Sequence, residues 1–196
     1  MKRKILKKFK RRHRMFLYFR NPEERKQILE FTESAVKYVH DNKIQVVVSG
    51  GTSAQPLLYL FKAIWKKRYP EEKIYFFTLP AVHIRVQTPE KIKQLIEQRR
   101  KKLADMLKSN GPVFVLEEMV ATGQTIKKIR AAFNLFGVKK VKVGCMVFPG
   151  VTSPIGRKIA MDAVGIDLLG EFSYYPIFYR QRVECCLLYT SPSPRD

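Results

Sequence analysis

The chain has 196 residues, 45% of them hydrophobic, and a formal net charge of +21. A chain of that length fits one domain that buries roughly 70% of its unfolded surface, so neither disulfides nor a metal are needed to build a core. No apolar run approaches the roughly 20 residues of a membrane helix, so no membrane span is expected, and Cys145, Cys185 and Cys186 form neither a disulfide framework nor a CxxC spacing, which fits a reducing cytoplasm better than secretion.

Residues 1–20, MKRKILKKFKRRHRMFLYFR, hold ten Lys/Arg and no acid. Two readings stand for this tail: a contact for RNA, gaining affinity by releasing phosphate counterions, or a solvated basic end with Met15 as the true start. It has no apolar core of the kind a secretory signal carries. Asn21, Pro22, Glu23 and Glu24 then place a cap, a first-turn proline and an acidic first turn ahead of Ile28, Leu29, Ala35, Val36 and Val39, which predicts a helix over 22–41. KIQVVVS, Lys43–Ser49, is a short β-branched run of the kind buried on both faces of a sheet. From Pro56 the composition turns helical and ends in basic residues, where a helix dipole favours them. KIYFFTLP, from Lys73, reads as a second strand, and Thr88-Pro89 opens a helix that reaches Lys108 through Ile92, Leu95, Ile96, Leu103 and Leu107. Gly111-Pro112 ends it before a third strand, Val113–Leu116. Ile126, Ile129, Phe133 and Phe136 share one face of the next helix, which Gly137 stops. KKVKVGCMVFP makes a fourth strand and GIDLLGEF a fifth. Strand and helix alternate throughout, so the fold class is α/β, a single-domain parallel sheet with helices on both faces.

In such a sheet ligands collect beyond the carboxyl ends of the strands, so the strand-to-helix turns are where chemistry is sought. Two turns stand out. SGGTSAQ, Ser49–Gln55, has paired glycines that let backbone approach a ligand, with Thr52 and Ser53 near a helix start; it lacks the lysine of a P-loop, and an ordinary glycine turn explains it equally well. In VFVLEEMVATGQTIKK, Val113–Lys128, the turn Val120–Thr125 offers successive backbone N–H groups and two threonine hydroxyls, a cradle for one phosphate. Glu117 and Glu118 beside it would repel that phosphate unless the ligand also carries hydroxyls, which carboxylates accept well. A sugar phosphate satisfies both halves; the plainer reading is a solvated strand end.

The second motif resembles the phosphoribosyl pyrophosphate (PRPP) signature of type I phosphoribosyltransferases: an apolar strand, two acids, a short mixed stretch, then Thr-Gly and a further Thr. VVVSGGTSAQPLL is similar to that family's earlier pyrophosphate loop, and the likeness covers roughly residues 40–170. The resemblance implies a type I phosphoribosyltransferase-like fold (Rossmann-like), with Glu117 and Glu118 as the catalytic pair on the ribose 2- and 3-hydroxyls. By the same likeness Ala121, Thr122, Gly123, Gln124 and Thr125 would hold the 5-phosphate, while Gly50, Gly51 and Thr52 would face the pyrophosphate. Arg85 is either a further pyrophosphate partner or a surface arginine. The implied cofactor is Mg²⁺, held through water and substrate oxygens with no direct protein ligand, and the implied reaction moves phosphoribose to a nucleobase-like acceptor in a cytoplasmic protein, with a homodimer as the family's common assembly.

Two departures from the family stand in the residues. The acidic pair usually contains an aspartate, and the extra methylene of Glu pushes a carboxylate out by about 1.5 Å. Where many relatives close a flexible lid, between the second and third strands, this chain has the Lys/Arg-rich helix 89–108. The alternative function is therefore a non-catalytic PRPP-sensing regulator whose basic surface binds RNA, and a third is a structural relative that binds neither. His13, His40 and His83 are too scattered for a metal site with the cysteines, and EFSYYPIFYR near Phe172–Tyr179 reads either as a hood stacking a nucleobase or as late core packing. Cys186–Asp196, CLLYTSPSPRD, resembles a translated sequencing-adapter scar, the other reading being a flexible Ser/Pro tail. The expected organisation is a basic tail over 1–20, a domain over 21–185 that continues past Cys185 in the natural chain, and an artefactual tail over 186–196.

Overall fold

The structure is a computed structural model that describes residues 22–51, 54–79, 87–109, 111–120, 122–147 and 161–170. The basic run 1–20, Thr52, Ser53, His83, Arg85, Ala121, the aromatic segment 172–179 and the tail 186–196 lie outside the described residues. Lys26–Glu171 pack as one unit; of a second unit, made of the two chain ends, only residues 22–25 are described.

The order of elements is α1 Pro22–Asp41, β1 Val46–Ser49, α2 Gln55–Arg68, β2 Tyr75–Thr78, α3 Pro89–Arg99, α4 Lys101–Lys108, β3 Val113–Met119, α5 Gln124–Asn134, β4 Val141–Val147 and β5 Leu168–Leu169. The sheet runs β2-β1-β3-β4-β5 and every pairing in it is parallel. This is the α/β parallel sheet that the alternation predicts. Side chains alternate along each strand, and the alternation sorts the core. Val46, Val48, Val113, Val115, Val143 and Cys145 pack with Ile92, Ile96, Leu103, Leu107, Ile126, Ile129 and Phe133 of α3, α4 and α5. Phe114 turns the other way to meet Tyr38 of α1, ring centroids 5.8 Å apart, and Phe76 meets Phe61 of α2 at 5.7 Å. Helices therefore cover both faces. Crossovers of one hand that travel in opposite directions must use opposite faces, and they do: β1 reaches β2 through α2 on one side, while β3 reaches β4 through α5 on the other.

Two boundaries differ from expectation. β3 continues to Met119, so both glutamates belong to the strand rather than to the turn after it. The helix expected over 89–108 breaks at Arg100, whose φ of −139° and ψ of 50° are not helical. The apolar stripe explains the break. Ile92 and Ile96 are followed by Leu103 and Leu107, and the intervening turn that should supply a core residue at 99 or 100 holds arginine at both. A guanidinium is not buried without a partner, so the chain kinks and leaves Arg99 and Arg100 exposed.

One arginine is used inside instead. Arg130 of α5 donates from Nη1 to the Val164 carbonyl at 3.1 Å and from Nη2 to the carbonyls of Val141, at 3.3 Å, and Gly165. A planar fork serving several acceptors cannot be replaced by a single ammonium. Arg130→Met is expected to destabilise the fold by about 2–4 kcal/mol, and Arg130→Lys to recover little of it, as read by urea denaturation midpoints.

At the start of α3, Thr88 is the cap: the Lys91 N–H donates to its Oγ1 at 3.3 Å. Glu90 in the first turn has its carboxyl held below the ordinary 4.5, first by its own backbone N–H and then by the Thr88 hydroxyl. A depressed carboxyl contributes stability that is present above the unfolded pKa and lost as pH falls through the folded one. Glu90→Gln should therefore lower the denaturation midpoint slightly at neutral pH, and the gap to the parent should close below pH 4.5.

Candidate functional site

With the order β2-β1-β3, chain direction across the sheet reverses between β1 and β3, which puts beyond their carboxyl ends the crevice where open α/β sheets bind ligands. The register shows its depth. β1 is paired with β3 only to Ser49↔Leu116, whereas β3 goes on beside β4 to Met119↔Val147. The last bond across the gap is Gly50 N–H to the Leu116 carbonyl, 3.3 Å. On the other side Leu79 N–H donates to the Ser49 carbonyl at 2.9 Å, and the buried Ser49 hydroxyl donates to Thr78 Oγ1 at 3.1 Å, fixing the ends of β1 and β2 together.

The two glutamates part company here. By strand alternation Glu117 shares the side of Val113 and Val115, and Glu118 that of Phe114 and Leu116. Glu117 is buried at 7% exposure, and its carboxylate lies directly over Gly50: a Cβ built on Gly50 would stand 1.5 Å from Glu117 Oε1. Gly50 is thus a glycine because a side chain from β3 occupies the space its own would need. The paired glycines, expected to admit a ligand, admit a glutamate at the first position. Glu118 is half-buried at the crevice.

The phosphate-cradle turn lies just past β3. Val120 is buried, Thr122 and Gln124 are exposed, and Thr125 is half-buried. Gly123 is the cap of α5 with φ +73°, a left-handed conformation that suits glycine, and Val164 presses on it so closely that a Cβ would lie 2.7 Å from either Val164 methyl. Gly123 has no side chain with which to cap α5 and no acid stands in the first turn, while Lys127 and Lys128 follow one turn in. First-turn amides, the positive end of the helix dipole and two cations make this turn electropositive, and an anion is the ligand it suits.

Of the predicted residues, the structure brings Gly50, Gly51, Glu117, Glu118 and the turn Thr122–Thr125 to this one end of the sheet, while Thr52, Ala121 and Arg85 lie outside the described residues. The contact between Gly50 and Glu117 was not anticipated from sequence; the signal for it is a glycine and a long acid at equivalent heights on adjacent strands, legible only once the register is known. His40 is a packing residue at the far side of the domain. Its ring stacks on Tyr69 at 3.9 Å and its two nitrogens face Asp41 Oδ1 and Glu72 Oε1, at 3.2 and 3.1 Å. A cavity of about 790 Å³ opens at the opposite, amino ends of the strands, lined in part by Asn42, Arg130, Lys139, Lys142 and Asp167; Lys142 there is tied to Asp167 at 2.9 Å. Among the described residues no helix is long and apolar enough to cross a membrane.

No family model matches the chain, and no curated protein matches it.

The overlap at Gly50 is testable. Gly50→Ala should destabilise by about 1–2 kcal/mol as the Glu117 carboxylate is pushed aside, whereas in a Glu117→Ala background the same change should cost under about 1 kcal/mol. A double-mutant cycle in urea reads the coupling.

Proposed function

We propose that the crevice between β1 and β3 binds PRPP with Mg²⁺, in a type I phosphoribosyltransferase-like fold, and transfers phosphoribose to a nitrogenous base. The observation that carries this reading is the meeting, at one switch point, of a helix N-terminus whose cap is a left-handed glycine and a half-buried carboxylate on the adjoining strand end. Helix amides suit the monoester of a sugar phosphate, and a carboxylate four to seven residues earlier suits its hydroxyls. The sequence signature adds the order of the parts. Neither feature alone distinguishes a phosphoribosyl site from another phosphate site; their combination favours it.

In this reading the turn Thr122–Thr125 fixes the 5-phosphate, and Glu118 accepts from the ribose hydroxyls. Glu117 has a different task from the one its place in the motif suggests. Buried against Gly50, it sets the start of the glycine loop on which the pyrophosphate would lie. Mg²⁺ suits a sugar pyrophosphate because it keeps much of its water and binds through substrate phosphates with one or two carboxylates. Mg²⁺ would supply neutralising charge to the departing pyrophosphate. The bond from the anomeric carbon to pyrophosphate breaks with the electron pair leaving on oxygen, the lone pair of a ring nitrogen forms the new C–N bond, and that nitrogen's proton passes to solvent. The protein's share is orientation and charge placement.

The test is pyrophosphate release from PRPP and Mg²⁺ with a panel of purines and pyrimidines. Release with one of them, lowered at least about 100-fold by Glu118→Ala with binding of ribose 5-phosphate kept through Thr122–Thr125, is the expected result. Calorimetric binding of PRPP without release from any base would replace catalysis by sensing. No heat from PRPP or ribose 5-phosphate at millimolar concentration overturns both.

A further inference from the structure

We propose that the cavity at the amino ends of the strands is a second ligand site, one that takes a nucleoside monophosphate, whatever the crevice at the other end binds. The cavity belongs wholly to the packed unit and measures about 790 Å³. Ligand pockets run from about 300 to 1,000 Å³, so there is room for an organic body as well as a phosphoryl group. Four of its lining residues are cations, Arg130, Lys139, Lys140 and Lys142, and two are acids, Asp162 and Asp167. The pairing among them is unequal. Asp167 binds Lys142 Nζ at 2.9 Å and accepts the Val143 N–H at 2.8 Å, so the charges of Lys142 and Asp167 offset each other. Arg130 serves carbonyls, which carry no net charge, and Lys139, Lys140 and Asp162 make no ion pair among the described residues. Three cations then face one acid, a net of +2 within one concavity. A phosphomonoester, with a charge of about −1.5 to −2 at pH 7, is the matching group.

Helix ends do not account for the two lysines. α1 and α5 both finish at this end, and cations near a helix carboxyl end commonly serve its last carbonyls. Here backbone amides already do so: those of Asn42, Lys43 and Ile44 donate to the Tyr38, His40 and Val39 carbonyls, and those of Leu135, Gly137 and Val138 to the Ala131, Asn134 and Phe133 carbonyls. Lys139 and Lys140 are exposed on the link from α5 to β4, where a phosphoryl group entering the cavity meets both. The rest of the lining suits the body of a nucleotide. Pro112 and Val141 are half-buried and give the cavity apolar surface on which the face of a base can lie. Asn134 and Asn42 bring side-chain amides, the second fixed by a bond from its Nδ2 to the Tyr38 carbonyl at 2.8 Å; an amide both donates and accepts, as the edge of a base does. Asp162 is left to accept from a ribose hydroxyl. Inorganic phosphate would use the charge alone and a nucleoside the walls alone, whereas a nucleotide uses both.

The experiment is calorimetric titration of the full chain with uridine 5′-monophosphate, uridine, inorganic phosphate and ribose 5-phosphate. It uses a Thr122→Glu background, whose added acid repels anions from the turn at the other end of the sheet. The nucleotide should bind at least about tenfold more tightly than any of the other three. Lys139→Gln/Lys140→Gln should weaken it by roughly tenfold or more, and Asn134→Trp, which fills the cavity mouth, should abolish binding. The charge-matched Lys66→Gln/Lys67→Gln on α2 should leave it unchanged. Affinity should fall between about pH 7.5 and 5.5 as the phosphate, with its second pKa near 6, becomes a monoanion. No heat at millimolar nucleotide overturns the proposal. So does equal weakening by both lysine pairs, which would mean diffuse charge, or binding of inorganic phosphate or ribose 5-phosphate as tight as that of the nucleotide, which would leave the walls without a part. All substitutions are at exposed positions, and circular dichroism melts check that each variant is folded. Because the background disables the turn after β3, failure here says nothing against PRPP binding by the parent chain, and failure of PRPP binding leaves this result standing.

Discussion

The close approach of β1 to β3 at Gly50 governs the candidate site. β1 stops being paired at Ser49 while β3 runs three residues further beside β4, and into the step so formed Glu117 folds its carboxylate onto the Gly50 backbone. Gly50 and the end of β3 are thereby held together. A side chain at position 50 would force either the loop or the acid aside, and the crevice would lose its floor. The opposite directions of the two crossovers place that crevice where helices do not cover it.

Charge shapes the rest of the molecule more than apolar area does. The core stripe of the second crossover is interrupted where Arg99 and Arg100 occupy the turn that should face inward, and the chain answers by breaking the helix. Arg130 shows the other solution, since its guanidinium stays partly buried by serving three carbonyls at once. Whether an arginine ends inside or outside thus depends on the number of backbone acceptors within its reach, and the outward pair becomes the most concentrated unpaired positive charge on the described surface of α3 and α4.

Much of the fold was legible from local pattern. The β-branched run ending at Ser49 and the apolar run from Val113 declared buried parallel strands, and Thr88-Pro89 marked a helix start that the structure keeps. The α3–α4 break was also legible in principle, since the spacing from Ile96 to Leu103 leaves a turn with only arginine; a count of apolar residues without regard to that gap predicts one helix. The extension of β3 through Glu117 and Glu118 was hidden, because acids at a strand's end read as a turn until a neighbouring strand supplies the ladder.

The chain's own residues determined the alternation of strand and helix, the caps, and the presence of a glycine-rich turn and an acid-then-Thr-Gly turn in that order, all of them consequences of side-chain shape and spacing acting within a few residues. Tertiary structure alone decided which of two adjacent glutamates is buried and why position 50 is glycine. Those depend on register between strands far apart in the chain and on the acceptors each side chain meets there, and neither is written in any local stretch.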